Sequence, residues 1–408
     1  MTETAADPIS AGDRLPYLDG FRGAAALAVL VYHVAAFKLW VAGSGRFGLD
    51  GAAWMASLGN YGVCVFFLLS GLVLYRPFAA ASLRSVSSPA AAPYLARRVL
   101  RIYPAYVVAL TAWYALGAFP LAGQLRPREY VWQYLLLQNH VQRGLEASLP
   151  VAWTLSIEVS FYFALPVVAA MIRRLPGGRS ASPGDRMVAQ LTGLLILTVA
   201  AFGFRRMVLG EHLPTGPGQP TLWLPNHLDW FALGMLLAVL HAWRAEGGVL
   251  PRWLTGMSQR PLLCWGSALA MYWLMVGLRL PIGAEEYFAA GMLRFTLSGV
   301  SAFLLLLPAV FATGRQRALA VLDHPALSFL GVVSYGIYLW HIVVLQAARE
   351  HHVVLPFGLL ALVTLALTLG LSVASHRLLE RPILRAARSS AAAPVARGRL
   401  RPVVTARW

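Results

Sequence analysis

The residues best suited to chemistry lie in an apolar run, Leu18 to Phe37, that reads LDGFRGAAALAVLVYHVAAF. Arg22 and His33 stand eleven positions apart within it. At roughly 100° per residue that is three turns plus about 20°, so both project from one face of a helix. The rise between them is about 16 Å, which sets an arginine at the membrane surface below a histidine near the bilayer midplane. Arginine at a helix end is an ordinary flank. A histidine at mid-membrane is costly, and it faces either a structural partner or a cavity. Its unperturbed pKa of about 6.5 lies near working pH, which suits proton transfer.

Five further groups could share that chemistry. Arg98 and Arg101, in YLARRVLRIYPAY, are three apart on one helix face. They are either membrane flank or a guanidinium clamp for phosphate oxygens. FFLLSG, Phe66 to Gly71, ends a bulky run on Ser70 and Gly71, small enough to admit another helix or a ligand chain. Glu158, in WTLSIEVSFY, is an intramembrane carboxylate that needs a partner, either an arginine or histidine of another span or a substrate hydroxyl. Asp229, in LPNHLDWFALG, and His341, in SYGIYLWH, sit in the outer halves of their spans, facing a vestibule or a packing network.

These groups must be positioned by membrane helices. The chain of 408 residues is 58% hydrophobic and 12% charged, and its mean hydropathy is +0.62. That is the profile of an all-α polytopic membrane protein. About ten transmembrane helices are expected, at 20–41, 56–75, 101–119, 151–172, 187–204, 222–243, 261–280, 288–312, 328–348 and 355–376, with 130–138 too short to cross. The formal net charge of +17 falls mostly between spans, with no basic stripe interleaved with base-stacking aromatics, which points to the lipid bilayer and away from nucleic acid.

Basic residues cluster on the side that holds both termini, so both termini are expected in the cytoplasm of a plasma-membrane protein. Arg205-Arg206 is the exception, since this arrangement places the pair outside. Residues 1–16 lack the basic n-region of a signal peptide, so the first apolar run is expected to be retained. Residues 17–384 form one transmembrane domain, and 385–408 read as a disordered basic cytoplasmic tail. Cys64 and Cys264 lie in apolar runs with no metal-ligand spacing.

Taken together, LDGFRGAAALAVLVYH, FFLLSG, RVLR, WTLSIEVSFY, HLDWFALG, SYGIYLWH and LLERPILR resemble segments of the acyltransferase 3 family of integral membrane O-acyltransferases. The likeness runs from about residue 17 to 385. Arg22 and His33 match its Arg-x10-His arrangement, and Arg98 and Arg101 its Arg-x-x-Arg motif. The family often carries two consecutive acidic residues where this chain has Glu158 and Val159. Some members carry a fused extracytoplasmic hydrolase-like domain, for which this chain has no room after its last span.

The resemblance implies transfer of an acyl group, commonly acetyl, from a donor such as acyl-CoA to a hydroxyl. Acyl-CoA would be a substrate, with no permanently bound cofactor. Its phosphates would rest on Arg98, Arg101 and Arg22, beside Ser70 and Gly71, and its thioester would reach inward to His33. His33 would act as general base, with an acyl-histidine as the competing version. Glu158 would orient a hydroxyl or pair with His33, and Asp229 and His341 would meet an acceptor from outside. The acceptor would be an envelope saccharide or glycolipid, or a metabolite such as a macrolide. A transporter with no chemistry is the alternative from another class, although no repeat joins the two halves.

Overall fold

A computed structural model describes residues 15, 17–41, 52–116, 126–141, 148–209, 218–278, 288–314 and 316–392. These residues form fourteen α-helices and, among them, no strand. In chain order they are α1 (Leu18–Val41), α2 (Ala52–Leu83), α3 (Ala91–Ala115), α4 (Pro127–Tyr134), α5 (Ala152–Ile172), α6 (Pro183–Leu209) and α7 (Leu228–Ala245), followed by α8 (Arg252–Ser258), α9 (Pro261–Gly277), α10 (Phe288–Phe311), α11 (Pro325–Val332), α12 (Ser334–Glu350), α13 (Phe357–Ser375) and α14 (Arg381–Ala392).

Seven helices are long and apolar enough to cross a bilayer, and an eighth span arises if the bent pair α11 and α12 is counted as one. All ten expected spans meet a helix. The two others are α9, a shorter apolar helix, and α3, whose first half carries Arg97, Arg98 and Arg101. The expected ninth span, 328–348, is not one straight rod, because the chain bends by 72° between α11 and α12. The stretch too short to cross holds α4. Helix continues through α14 to Ala392, inside the expected tail; residues 1–14 and 393–408 lie outside the described residues.

Burial separates the bundle's interior from its lipid face. On α6 the apolar side chains Val188, Leu195 and Val199 are exposed, as are Leu359, Leu362 and Leu367 on α13. In a membrane that exposure is solvation by lipid tails, and it costs nothing. By contrast α2 and α7 are the most deeply buried spans, and they cross with their backbones in contact. A Cβ on Gly71 would strike the carbonyl of Phe231, and one on Gly234 the carbonyl of Leu68. The two glycines are what lets these helices approach so closely. Helix α1 packs against α2, α11 and α12, which places Arg22 and His33 at the centre of the bundle.

Candidate active site

Helices α1, α2, α3, α5 and α12 enclose a cavity with about 800 Å³ of empty space, part of it open to solvent. Helix α1 contributes Arg22, α3 contributes Arg98 and Arg101, α2 contributes Phe66 and Ser70, and α5 contributes Thr154, Glu158 and Tyr162. The start of α12, just past the 72° bend, adds Ser334, Tyr335 and Tyr338. Past the bend, these three hydroxyl-bearing side chains face one space. Five residues singled out by sequence, Arg22, Ser70, Arg98, Arg101 and Glu158, therefore line one cavity although they come from four helices.

The spacing of each group explains its place. Arg98 and Arg101 are one turn apart on α3, so their side chains fall on the same stripe. Glu158 and Tyr162 are four apart on α5, and Tyr162 Oη donates to Glu158 Oε1 at 2.7 Å. Ser70 Oγ donates to the same oxygen at 2.8 Å from α2. Hydroxyls satisfy Glu158 rather than an arginine: among the described residues it forms no ion pair. Arg22 lies 3.6 Å from Asp19, its neighbour one turn back. Arg98 sits 5.9 Å from the Tyr94 ring, and its buried Nε has no hydrogen-bond partner among the described residues. The lining thus holds three guanidinium groups against one carboxylate, which suits a polyanionic ligand with planar phosphate groups.

His33 is not part of that lining; it lies farther along α1. From Leu18 it is fifteen residues up the helix, a rise of about 22 Å. Its ring centroid lies 4.9 Å from that of His341 on α12, the two planes tilted by 51°, and His341 Nε2 lies 3.1 Å from His33 Nδ1. The His341 ring is in turn 6.2 Å from Tyr338, which lines the cavity. Tyr338 is anchored to Thr154 Oγ1 at 2.5 Å and to the Val151 carbonyl at 3.2 Å. An unbroken series of rings therefore runs from the cavity wall to His33.

The remaining expected site residues lie elsewhere. Gly71 packs against the backbone of α7, so it serves the helix crossing. Asp229 is held by Arg205, whose Nη2 donates to it at 2.8 Å and also to the Asn226 carbonyl. Arg205 has no exposed surface and lies 4.1 Å from the Phe295 ring. The expectation that Arg205 lies in an outer loop is corrected: it belongs to α6, where Asp229 neutralises it. His341 faces His33. Sequence reasoning missed Thr154, Tyr162, Tyr335 and Tyr338. For Tyr162 a signal existed, since it stands one turn from an intramembrane carboxylate.

Comparison with known proteins matches the chain to a family. The acyltransferase domain model of acyltransferase family 3 matches residues 15–377. Acyltransferase MdmB of Streptomyces mycarofaciens is 28% identical over 253 residues, 58% of this chain and 60% of MdmB. Nodulation protein 10 of Rhizobium leguminosarum bv. viciae is 25% identical over 79% of this chain and 82% of its own length. Exopolysaccharide production protein ExoZ of Rhizobium meliloti is 25% identical over 82% of this chain and 92% of its own. No solved structure matches.

Proposed function

We propose a reaction from one premise: the chain belongs to the acyltransferase 3 family, whose domain covers residues 15–377. The reaction is transfer of an acyl group, commonly acetyl, from cytosolic acyl-CoA to a hydroxyl of an envelope saccharide or glycolipid. The observation that carries this reading is the gathering of Arg22, Arg98 and Arg101 on a single cavity that also holds the Ser70–Glu158–Tyr162 group. Coenzyme A is a polyanion with a long, flexible arm. Arginines at one end of the cavity would hold its phosphates, and the buried, unpartnered Nε of Arg98 is a donor such a ligand would satisfy.

From there the arm would follow Phe66 and Tyr338 inward. The thioester would meet His33, beyond the cavity wall at Tyr338. His33 Nδ1 faces the Val29 carbonyl at 2.9 Å, and a carbonyl only accepts, so in the neutral ring the proton sits on Nδ1 and Nε2 carries the lone pair. That lone pair would take the proton from the acceptor hydroxyl as its oxygen attacks the thioester carbon. The carbon–sulfur bond then breaks, and the thiolate leaves with the proton returned from His33. The products are an ester and free coenzyme A.

The similarity to a protein named for exopolysaccharide production supports a saccharide acceptor. Clustering of basic residues on the side of the termini supports cytoplasmic ends and a plasma-membrane location. The experiment is acetyl-CoA turnover by purified protein in nanodiscs. Wild type should release coenzyme A slowly, His33→Ala should lose this by about 10²–10⁴-fold, and Arg98→Ala/Arg101→Ala should mainly raise KM. Turnover unchanged in His33→Ala would overturn the reading, as would absence of any binding or turnover of acyl-CoA by wild type.

A further inference from the structure

We propose that His341 is the positioning residue of His33: it fixes the ring that accepts the proton, and it supports that ring while it is charged. The proposal rests on the reaction above, but the contact it invokes can be tested without turnover.

The two rings repeat one local arrangement. Each Nδ1 faces the carbonyl one turn back on its own helix, His33 that of Val29 at 2.9 Å and His341 that of Ile337 at 2.8 Å. Both neutral rings therefore carry their hydrogen on Nδ1. For His341 this leaves Nε2 as a lone pair, 3.1 Å from His33 Nδ1. The His33 Nδ1–H is thus shared between the Val29 carbonyl and His341 Nε2, a three-centre bond that holds the imidazole in one plane. His33 Nε2, the remaining lone pair, is left for substrate.

Exposure assigns the two roles. His341 is fully buried, with no accessible surface, whereas His33 is partly exposed. Only His33 can meet an acceptor. When His33 gains a proton at Nε2, its Nδ1–H becomes a charge-assisted donor with two acceptors already in place. His341 stays neutral because its own Nδ1–H remains on the Ile337 carbonyl. The charge stays on the ring nearer to open space, where it costs less. Helix α12 holds His341 firmly: Tyr335 donates to the Ile102 carbonyl at 2.7 Å and Tyr338 bonds Thr154.

Two substitutions separate this role from packing. Glutamine can present a side-chain oxygen near the position of Nε2, whereas phenylalanine fills a similar volume with no acceptor. In acetyl-CoA turnover, His341→Phe should lower kcat by about 10- to 100-fold with KM for acetyl-CoA and the thermal midpoint unchanged, and His341→Gln should stay within about threefold of wild type. A kcat in His341→Phe equal to that of wild type would overturn the proposal; so would an equal loss in both variants, or a loss confined to KM.

The second readout is the Nδ1–H resonance of His33 in protein labelled with ¹⁵N-histidine, assigned among the ten histidines by its disappearance in His33→Ala. It should move upfield in His341→Phe and stay near the wild-type position in His341→Gln. If it does not move in His341→Phe, the bond between the rings is absent and the proposal fails whatever the activity. If it moves while wild type turns over no acyl-CoA, the pairing stands and the acyltransfer reading above is what fails.

Discussion

Arg205 and Asp229 form a closed pair inside the bundle, whereas Arg22, Arg98 and Arg101 stand around open space with Glu158 among them. In the first grouping the guanidinium donates directly to the carboxylate at 2.8 Å, both groups are buried, and aromatic rings lie over the cation. In the second the carboxylate is satisfied by Ser70 and Tyr162, and three cations face a cavity, Arg22 with Asp19 at 3.6 Å beside it and Arg98 and Arg101 with no ion pair among the described residues. Burying a charge in a membrane protein requires a partner. The closed pair finds that partner within the chain. Around the cavity the balance is left incomplete, as expected where a ligand supplies the missing charge.

The largest expected effect comes from breaking the closed pair. Asp229→Ala strands a fully buried guanidinium and should cost about 3–5 kcal/mol, read as a large fall in the thermal midpoint in detergent. Glu158→Ala should cost far less stability, since it frees two hydroxyls beside a cavity that water can enter. The double substitution Arg205→Met/Asp229→Leu should recover most of the midpoint lost by Asp229→Ala. Recovery with turnover intact would also show that Asp229 takes no part in holding the acceptor. Equal destabilisation by Asp229→Ala and Glu158→Ala would erase the distinction between the two groupings.

That distinction was only half legible in the sequence. Apolar run lengths gave the helical class, and every expected span meets a helix. Motifs at helical spacing gave Arg22, Ser70, Arg98, Arg101 and Glu158, because short-range periodicity decides which side chains share a face. What spacing along one helix cannot show is which helices meet. For Asp229 a vestibule and a packing network both stay open in the sequence, because its partner, Arg205, comes from a different helix and reads there as lying outside a span. Gly71 looked like a ligand contact because a small residue permits either a ligand or a helix, and only the crossing partner, Gly234, decides between them. The bend before α12, which brings Tyr335 and Tyr338 to the cavity, falls at Val333, and the flanking Gly331 and Ser334 are common enough inside membrane helices not to announce it.

A charge-preserving change sharpens the comparison on the open side. Arg98→Lys/Arg101→Lys keeps two positive charges but loses the planar fork that engages phosphate oxygens in pairs. KM for acetyl-CoA should rise by about tenfold, equivalent to roughly 1.4 kcal/mol, with kcat and the thermal midpoint nearly unchanged. Arg205→Lys should show the reverse: a lower midpoint with KM unaltered, because its contacts are to the chain itself. A midpoint that falls in the Arg98/Arg101 variant would mean that these arginines also hold the fold together.

The smallest effect tests whether Glu158 is held in place by its hydroxyls. Ser70→Ala removes one of the two bonds to Oε1 and leaves that of Tyr162 intact. Because the carboxylate is partly exposed, water can replace part of what is lost, and the net cost should be about 1 kcal/mol, roughly fivefold in kcat. Tyr162→Phe should cost a similar amount. Combined, the two should cost more than their sum, since the second change then removes the last of these two bonds from the same oxygen and frees the side chain to turn toward an arginine. Simple additivity would mean that each hydroxyl contributes by packing alone. It would also mean that the carboxylate stays where it is without them, by its helix and not by hydrogen bonds that keep it from closing on Arg22, Arg98 or Arg101.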